Sequence, residues 1–260
     1  MELVTLEIDG DIALIGLNRP QKRNALSDTL IDALSSAVDT VSSNCRAAVI
    51  FGHGKHFSAG LDLAEHVERD MIDTIEHSRG WHTMFDRIRR GKIPFISALH
   101  GGVIGGGLEL AAATHVRVAD TTAMFALPEG QRGIFVGGSG SVGVARLMGA
   151  ANMADLMLTG RVLSAEEGHA RNLCQYVVGE GAALAKAKEL AGLAAQNAPL
   201  SNFAIINALP RIQDMSHEDG LFVESLIASI TSESEDAKQR LRDFLEGRAK
   251  KLMPAQGGKR

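Results

Sequence analysis

The sequence predicts an α/β fold followed by a helical C-terminal region. Three observations carry this. A β-hairpin pattern opens the chain. Strand-length apolar runs then alternate with helix-length amphipathic segments as far as about residue 180, as in a parallel α/β core. Beyond 181 only helical patterns occur.

Leu3–Ile8 and Ile12–Leu17 read as the hairpin strands, joined by Asp9-Gly10-Asp11. A loop, Asn18-Arg19-Pro20-Gln21-Lys22-Arg23-Asn24-Ala25-Leu26, leads to Ser27, which suits an N-cap. Leu30, Ile31, Leu34, Val38 and Val41 recur at helical spacing, so 28–42 is an amphipathic helix. Ala47–Phe51 is a strand buried on both faces. The loop Gly52–Leu63 holds His53 and His56, which read as surface histidines because no third metal ligand lies near. A charged helix over 66–90 follows, with Trp81 and Phe85 on one face. Pro94–Leu99 is a strand, 106–113 a helix, and 115–119 and 123–127 are strands. Helices open after the glycine-rich stretch 133–143 and at 150–159, Ser164-Ala165-Glu166-Glu167 starts another with a capping box, and Tyr176–Val178 is a last short strand.

The chemistry concentrates in two stretches. His100-Gly101-Gly102-Val103-Ile104-Gly105-Gly106-Gly107-Leu108-Glu109-Leu110 is a glycine run that ends a strand and opens an alanine-rich helix, and Leu127-Pro128-Glu129-Gly130 lies one strand further on. The run presents bare backbone N–H groups at a helix N-terminus, where developing negative charge is favoured. Two carboxylates beside such a site suit proton transfer next to a carbonyl whose oxygen gains charge. Taken alone, the glycines serve tight packing equally well, and Glu109 is a favourable first-turn charge.

The chain has 260 residues, 45% hydrophobic and 22% charged, with net charge −4, so nothing in it asks for nucleic acid or an anionic membrane. Basic clusters at Arg19–Arg23 and Lys238–Lys251 read as solvated surface. No apolar run reaches membrane-span length and no signal pattern opens the chain. Cys45 and Cys174 are too few for a disulfide framework, and a cytoplasmic setting is expected. Gly138-Ser139-Gly140-Ser141-Val142-Gly143 matches a dinucleotide fingerprint in letters, but two helical segments follow it and the acidic partner is missing. Neither Ser58 nor Ser139 completes a nucleophile elbow.

Several stretches together resemble the crotonase superfamily, also called the enoyl-CoA hydratase/isomerase family. They are Asn18-Arg19-Pro20 with Asn24-Ala25-Leu26, Phe57-Ser58-Ala59-Gly60-Leu61-Asp62, His100-Gly101 leading to Gly105–Leu110, Phe125-Ala126-Leu127-Pro128-Glu129, Gly133-Ile134-Phe135, and Leu158-Thr159-Gly160-Arg161. They run in the family's order over almost the whole chain. The resemblance implies a spiral of repeated ββα units over 1–195 carrying an acyl-CoA site. It also implies a helical C-terminal trimerisation region over 196–260 and a homotrimer or dimer of trimers. The stripe Leu221, Phe222, Leu226, Ile227 and Ile230 agrees with such packing on another subunit.

The resemblance also implies a coenzyme A thioester substrate, and neither metal nor redox cofactor. The backbone N–H groups of Leu61 and Gly106 would form the oxyanion hole, a donor of that kind being worth roughly 10²–10³ in rate. Glu109 and Glu129 would be the catalytic carboxylates. Arg23, Ala25, Ala59 and Asp62 would line the CoA channel, and Trp81, His82 and Phe135 an acyl pocket. The activity implied is enoyl-CoA hydratase. The alternatives are a Δ3-Δ2 isomerase, an aryl-propenoyl-CoA hydratase-lyase and, more distantly, a non-catalytic acyl-CoA-binding protein. Trp81-His82 also resembles the pair of the aryl-CoA dehalogenase branch, but no aspartate or glutamate lies between Gly130 and Gly143 to serve as nucleophile. The sequence departs from the family at Val136, where members often carry proline. It departs again at Asp243-Phe244-Leu245-Glu246-Gly247-Arg248, which lacks a CoA-binding lysine that Lys250 or Lys251 could replace.

Overall fold

The hairpin forms as expected: β1 (Val4–Asp9) and β2 (Ile12–Leu17) pair antiparallel with Asp9 opposite Ile12, and Gly10 turns the chain at φ +62. The computed structural model describes residues 2–66 and 69–248, so Lys250 and Lys251 lie outside the described residues. The chain divides into two compact units, Met1–Asn197 and Ala198–Arg260.

In the first unit α1 (Asp28–Asn44) starts where the Ser27 side chain accepts a hydrogen bond from Leu30 N–H, and it buries Leu30, Ile31, Leu34, Val38 and Val41. It leads to β3 (Ala47–Gly52), which runs parallel to β2. The segment expected as one helix over 66–90 is instead a short α2 (Leu63–His66) and a separate α3 (Met71–Arg89). The break follows from Asp70, whose carboxylate accepts Asp73 N–H and so caps a new helix there. Helix α3 buries Trp81, Met84, Phe85 and Ile88.

Strand β4 (Phe95–Leu99) feeds a three-residue strand not expected from sequence, β5 (Gly102–Ile104), before α4 (Gly106–Ala113). Strands β6 (Val116–Asp120) and β7 (Met124–Ala126) repeat the pattern. Helices α5 (Gly140–Met148), α6 (Ala150–Thr159) and α7 (Ala165–Ala170) lead to β8 (Tyr176–Val178), and the capping box at Ser164 and Glu167 is formed. The large sheet runs β1-β2-β3-β4-β6-β8, parallel apart from the hairpin, while β5 and β7 pair parallel in a second, smaller sheet. Each repeat therefore lays one strand in each sheet. Single bridges, Leu26 to Leu61 and Ser58 to Val103, carry the same winding into the preceding loops. This is the crotonase-type spiral.

The strand-free run after 181 begins with a helix of this first unit. Helix α8 (Ala183–Ala195) packs Ala183, Ala187, Ala191 and Ala195 with Leu14, Val49, Ile96 and Val118. One small residue per turn lets it lie close against the sheet. The second unit holds α9 (Pro199–Asn207), α10 (Leu209–Ile212), α11 (His217–Ser232) and α12 (Glu235–Leu245). Its Leu221, Phe222, Leu226 and Ile230 are exposed. No described helix is long and apolar enough to cross a membrane.

Candidate active site

Two backbone amides from distant segments come together. The bridge between Leu26 and Leu61 uses Leu26 N–H to Gly60 O and Asp62 N–H to Leu26 O. In a parallel ladder the amide between, that of Leu61, points the other way. Gly106 opens α4, so its N–H has no partner in the helix. Neither amide makes a hydrogen bond among the described residues. A side chain on Gly106 would put its Cβ 3.4 Å from Leu61 N, and one on Gly60 would put it 2.9 Å from Gly106 N. The two N–H groups are thus neighbours. Gly60, at φ +85, also packs so tightly on Ile104 O that a Cβ would stand 2.6 Å from it, and only glycine fits there. Ser58 holds the turn, since its hydroxyl donates to Asn24 O and accepts Gly60 N–H.

The carboxylates flank this pair. Glu109, in the first turn of α4, is 3% exposed. Its Oε1 accepts Gly138 N–H at 2.9 Å and Gly140 N–H at 2.6 Å. Burial pushes its pKa up to about 7, against those backbone bonds, with the Glu129 charge raising it further and the Arg89 cation opposing. Glu129 follows β7, and its Oε1 lies over Gly105, where a Cβ would stand 2.7 Å away. Its Oε2 is buried with no hydrogen-bond partner among the described residues, and burial raises its pKa too. Two buried carboxyls whose protonated forms are favoured by burial thus face one cavity. Such a pair can take a proton from one bound molecule and return one to another atom.

Two cavities meet at the amides. One, of about 530 Å³, is lined by Leu61, Gly106, Glu109 and Glu129 together with Trp81, His82, Ile134, Phe135 and Val136. The other, of about 290 Å³, shares Leu61, Gly106, Glu129 and Ile134 and continues along Arg23, Ala25, Ala59 and Asp62, with Lys22 and Arg132. The residues expected in an acyl pocket thus line one cavity and those expected in a CoA channel line the other. Trp81 is at once core and wall: it is 4% exposed and its ring meets that of Phe85 at a tilt of 57°, 5.5 Å between centroids. Phe135 and His82 are exposed.

Some sequence expectations need correction. Arg19 is not solvated: its guanidinium forms an ion pair with Asp62 at 2.6 Å, and that hydrogen bond holds the Asp62 carboxyl below the usual range. Asp62 therefore braces the Leu61 turn with its side chain already engaged. His53 and His56 are half-buried rather than surface groups. His53 Nε2 is 2.8 Å from Thr5 Oγ1, and His56 Nδ1 accepts Gly102 N–H. No group of three potential metal ligands forms among the described residues. Sequence reasoning also missed two contributors. Asn24, buried and left-handed at φ 53, donates to His53 O and His56 O and so ties two loops together. The run Gly138–Gly143, set aside as a dinucleotide fingerprint, supplies the amides that hold Glu109. Its usable signal was two glycines opening a helix.

The family model of enoyl-CoA hydratase/isomerase matches residues 7–253. A Bacillus subtilis protein named a probable enoyl-CoA hydratase is 33% identical, over 95% of this chain and 97% of its own. The 2,3-dehydroadipyl-CoA hydratase of Escherichia coli is 32% identical, over 91% of this chain and 93% of its own. A solved Rhodopseudomonas palustris structure, provisionally named an enoyl-CoA hydratase, superposes with TM-score 0.92 at 51% identity, covering 94% of this chain and 95% of that one. Spiral, paired amides and a match spanning nearly the full chain agree, and the protein belongs to the enoyl-CoA hydratase/isomerase family of enzymes.

Proposed function

We propose that the protein is an enoyl-CoA hydratase that adds water reversibly to a 2-enoyl-CoA thioester. The observation that carries this is the convergence of two buried carboxylates, Glu109 and Glu129, on one cavity with the free amides of Leu61 and Gly106. Water held between the carboxylates would bond through oxygen to C3 while one carboxylate takes its proton. The C2=C3 electrons move toward the thioester, and its oxygen gains negative charge against the two N–H groups. A carboxyl proton then bonds to C2, so the pair ends with the proton count it began with. Only water and protons move, so the reaction needs neither metal nor redox cofactor. The acyl chain would occupy the cavity of Trp81 and Phe135. The CoA arm would follow the smaller cavity, where Lys22, Arg23 and Arg132 suit phosphate groups. The exposed apolar residues of α11 support a homotrimer or dimer of trimers.

The test is a panel of aliphatic and aryl 2-enoyl-CoA thioesters, followed by loss of conjugated-thioester absorbance and product mass. Gain of one water is expected. Glu109→Gln and Glu129→Gln should each lower kcat by at least about 10²-fold, the lower range for positioned acid–base groups, with unchanged circular dichroism. Full activity in both variants would remove the proposal. Release of an acetyl-CoA fragment would move it to a hydratase-lyase, and turnover of 3-enoyl thioesters alone to an isomerase.

A further inference from the structure

Helix α3 grips the turn that holds Glu109 at two points. Ser78 Oγ donates to Gly137 O at 2.6 Å, and Arg89 Nη2 donates to Ser139 Oγ at 3.0 Å. Ser139 sits between the two glycines whose amides bind the Glu109 carboxylate, in a left-handed conformation at φ 80 that a non-glycine residue keeps only when its surroundings hold it. The arginine is itself fixed. Asp86 pairs with its Nη1 at 3.0 Å, and its side chain is 21% exposed. Gly143 of α5 leaves the space, since a Cβ there would stand 2.8 Å from Nη2. The backbone of Arg89 is anchored as well. His115 Nδ1 accepts Phe95 N–H, which leaves Nε2 to donate to Arg89 O at 3.3 Å and ties the end of α3 to β4.

We infer that Arg89 is a positioning residue of the active site: through Ser139 it locks the Gly138–Gly140 turn that aims the Glu109 carboxylate. The inference rests on the hydratase reading for its effect on turnover, but not for its effect on Glu109. The charged and titratable groups around Glu109 are Glu129 after β7, Arg89 on α3, and the cavity-lining His77, Arg79 and His82, also on α3. Those around Arg89 are Asp86 on its own helix, Arg90 just past its end, Arg146 from α5 and His115 before β6. Arg89 is the cation whose charge favours the ionised Glu109. A bound turn and a nearby cation act in the same direction, both stabilising the carboxylate.

The test uses Arg89→Met, Arg89→Lys and Ser139→Ala in the full chain, each made with Glu109 and with Glu109→Gln. Thermal unfolding against pH locates the pH at which the stability difference between the paired proteins levels off, which reports the titration of residue 109 in the folded protein without substrate. Arg89→Met and Ser139→Ala should move that pH upward, and Arg89→Lys should move it less than Arg89→Met. With 2-enoyl-CoA, Arg89→Met should lower kcat by about tenfold or more, within the range for a misplaced catalytic group, with KM little changed. In the Glu109→Gln background the same change should have little further effect. Folded Arg89→Met with parental kcat and an unmoved levelling-off pH would overturn the inference. If Arg89→Met does not fold, Ser139→Ala decides, and parental behaviour there overturns it. If no thioester turns over at all, the hydratase reading fails while the levelling-off pH still decides the role of Arg89.

Discussion

At the residue scale, Glu109 is held against its own solvation. A carboxyl that is 3% exposed and titrates at about 7 costs the fold something whenever it is charged. Because its folded pKa lies above the unfolded one, near 4.5, the unfolded chain loses the proton first as pH rises. Stability is full below about pH 4.5 and is lost progressively toward pH 7. Glu109→Gln, which can still accept both glycine amides, should therefore match the parent at pH 4.5 and exceed it at pH 8, by up to about 3 kcal/mol at 1.36 kcal/mol per pKa unit. Thermal or urea unfolding at the two pH values checks this. An equal difference at both would mean that folding does not raise the Glu109 pKa. The same side chain is expected to be indispensable for turnover, so this variant would trade activity for stability.

At the element scale, the start of α5 decides where Glu109 points. Alanine is the better helix former, so Gly140→Ala should help the helix by propensity alone. Its Cβ, however, would stand 2.7 Å from Glu109 Oε1 and 3.0 Å from Cγ, so the carboxylate would have to shift from its place. The variant should lose about 1–3 kcal/mol to overpacking and, with Glu109 displaced, about tenfold or more in kcat. Parental turnover in a folded Gly140→Ala protein would show that the turn tolerates displacement. The turn of Ser58 to Leu61 is built differently, by hydrogen bonds to Asn24, to Gly102 and Ile104 and by the Arg19–Asp62 pair. Its amide is thus fixed by several ties together with the close approach of Gly60 to Ile104 O.

At the scale of the whole molecule, α11 leaves Leu221, Phe222, Leu226 and Ile230 exposed. An apolar stripe of this kind is covered when copies of a chain assemble. The proposed trimer or dimer of trimers predicts a sedimentation mass three or six times that of one chain, and Leu226→Glu should shift it toward the monomer. A monomeric parent protein at micromolar concentration would remove this part of the proposal.

Much of the fold was legible because it rests on short-range periodicity. The hairpin, the α1 stripe, the α4 glycine start and the Ser164 capping box all depend on residues within about a turn of one another, and each forms where the sequence places it. The split at Asp70 and the strand Gly102–Ile104 were not legible, the first because one cap competes with a continuous helical pattern, the second because three residues carry too little period. By itself, then, the sequence determined most of the elements, the glycine run that opens α4, and the two glutamates that could do acid–base work. Tertiary structure alone decided that Leu61 and Gly106 offer their amides side by side, that Gly138 and Gly140 hold Glu109, and that Arg19 is tied to Asp62. Those contacts join residues tens of positions apart, and the burial that shifts a carboxyl or leaves an amide free exists only once the distant segments have packed.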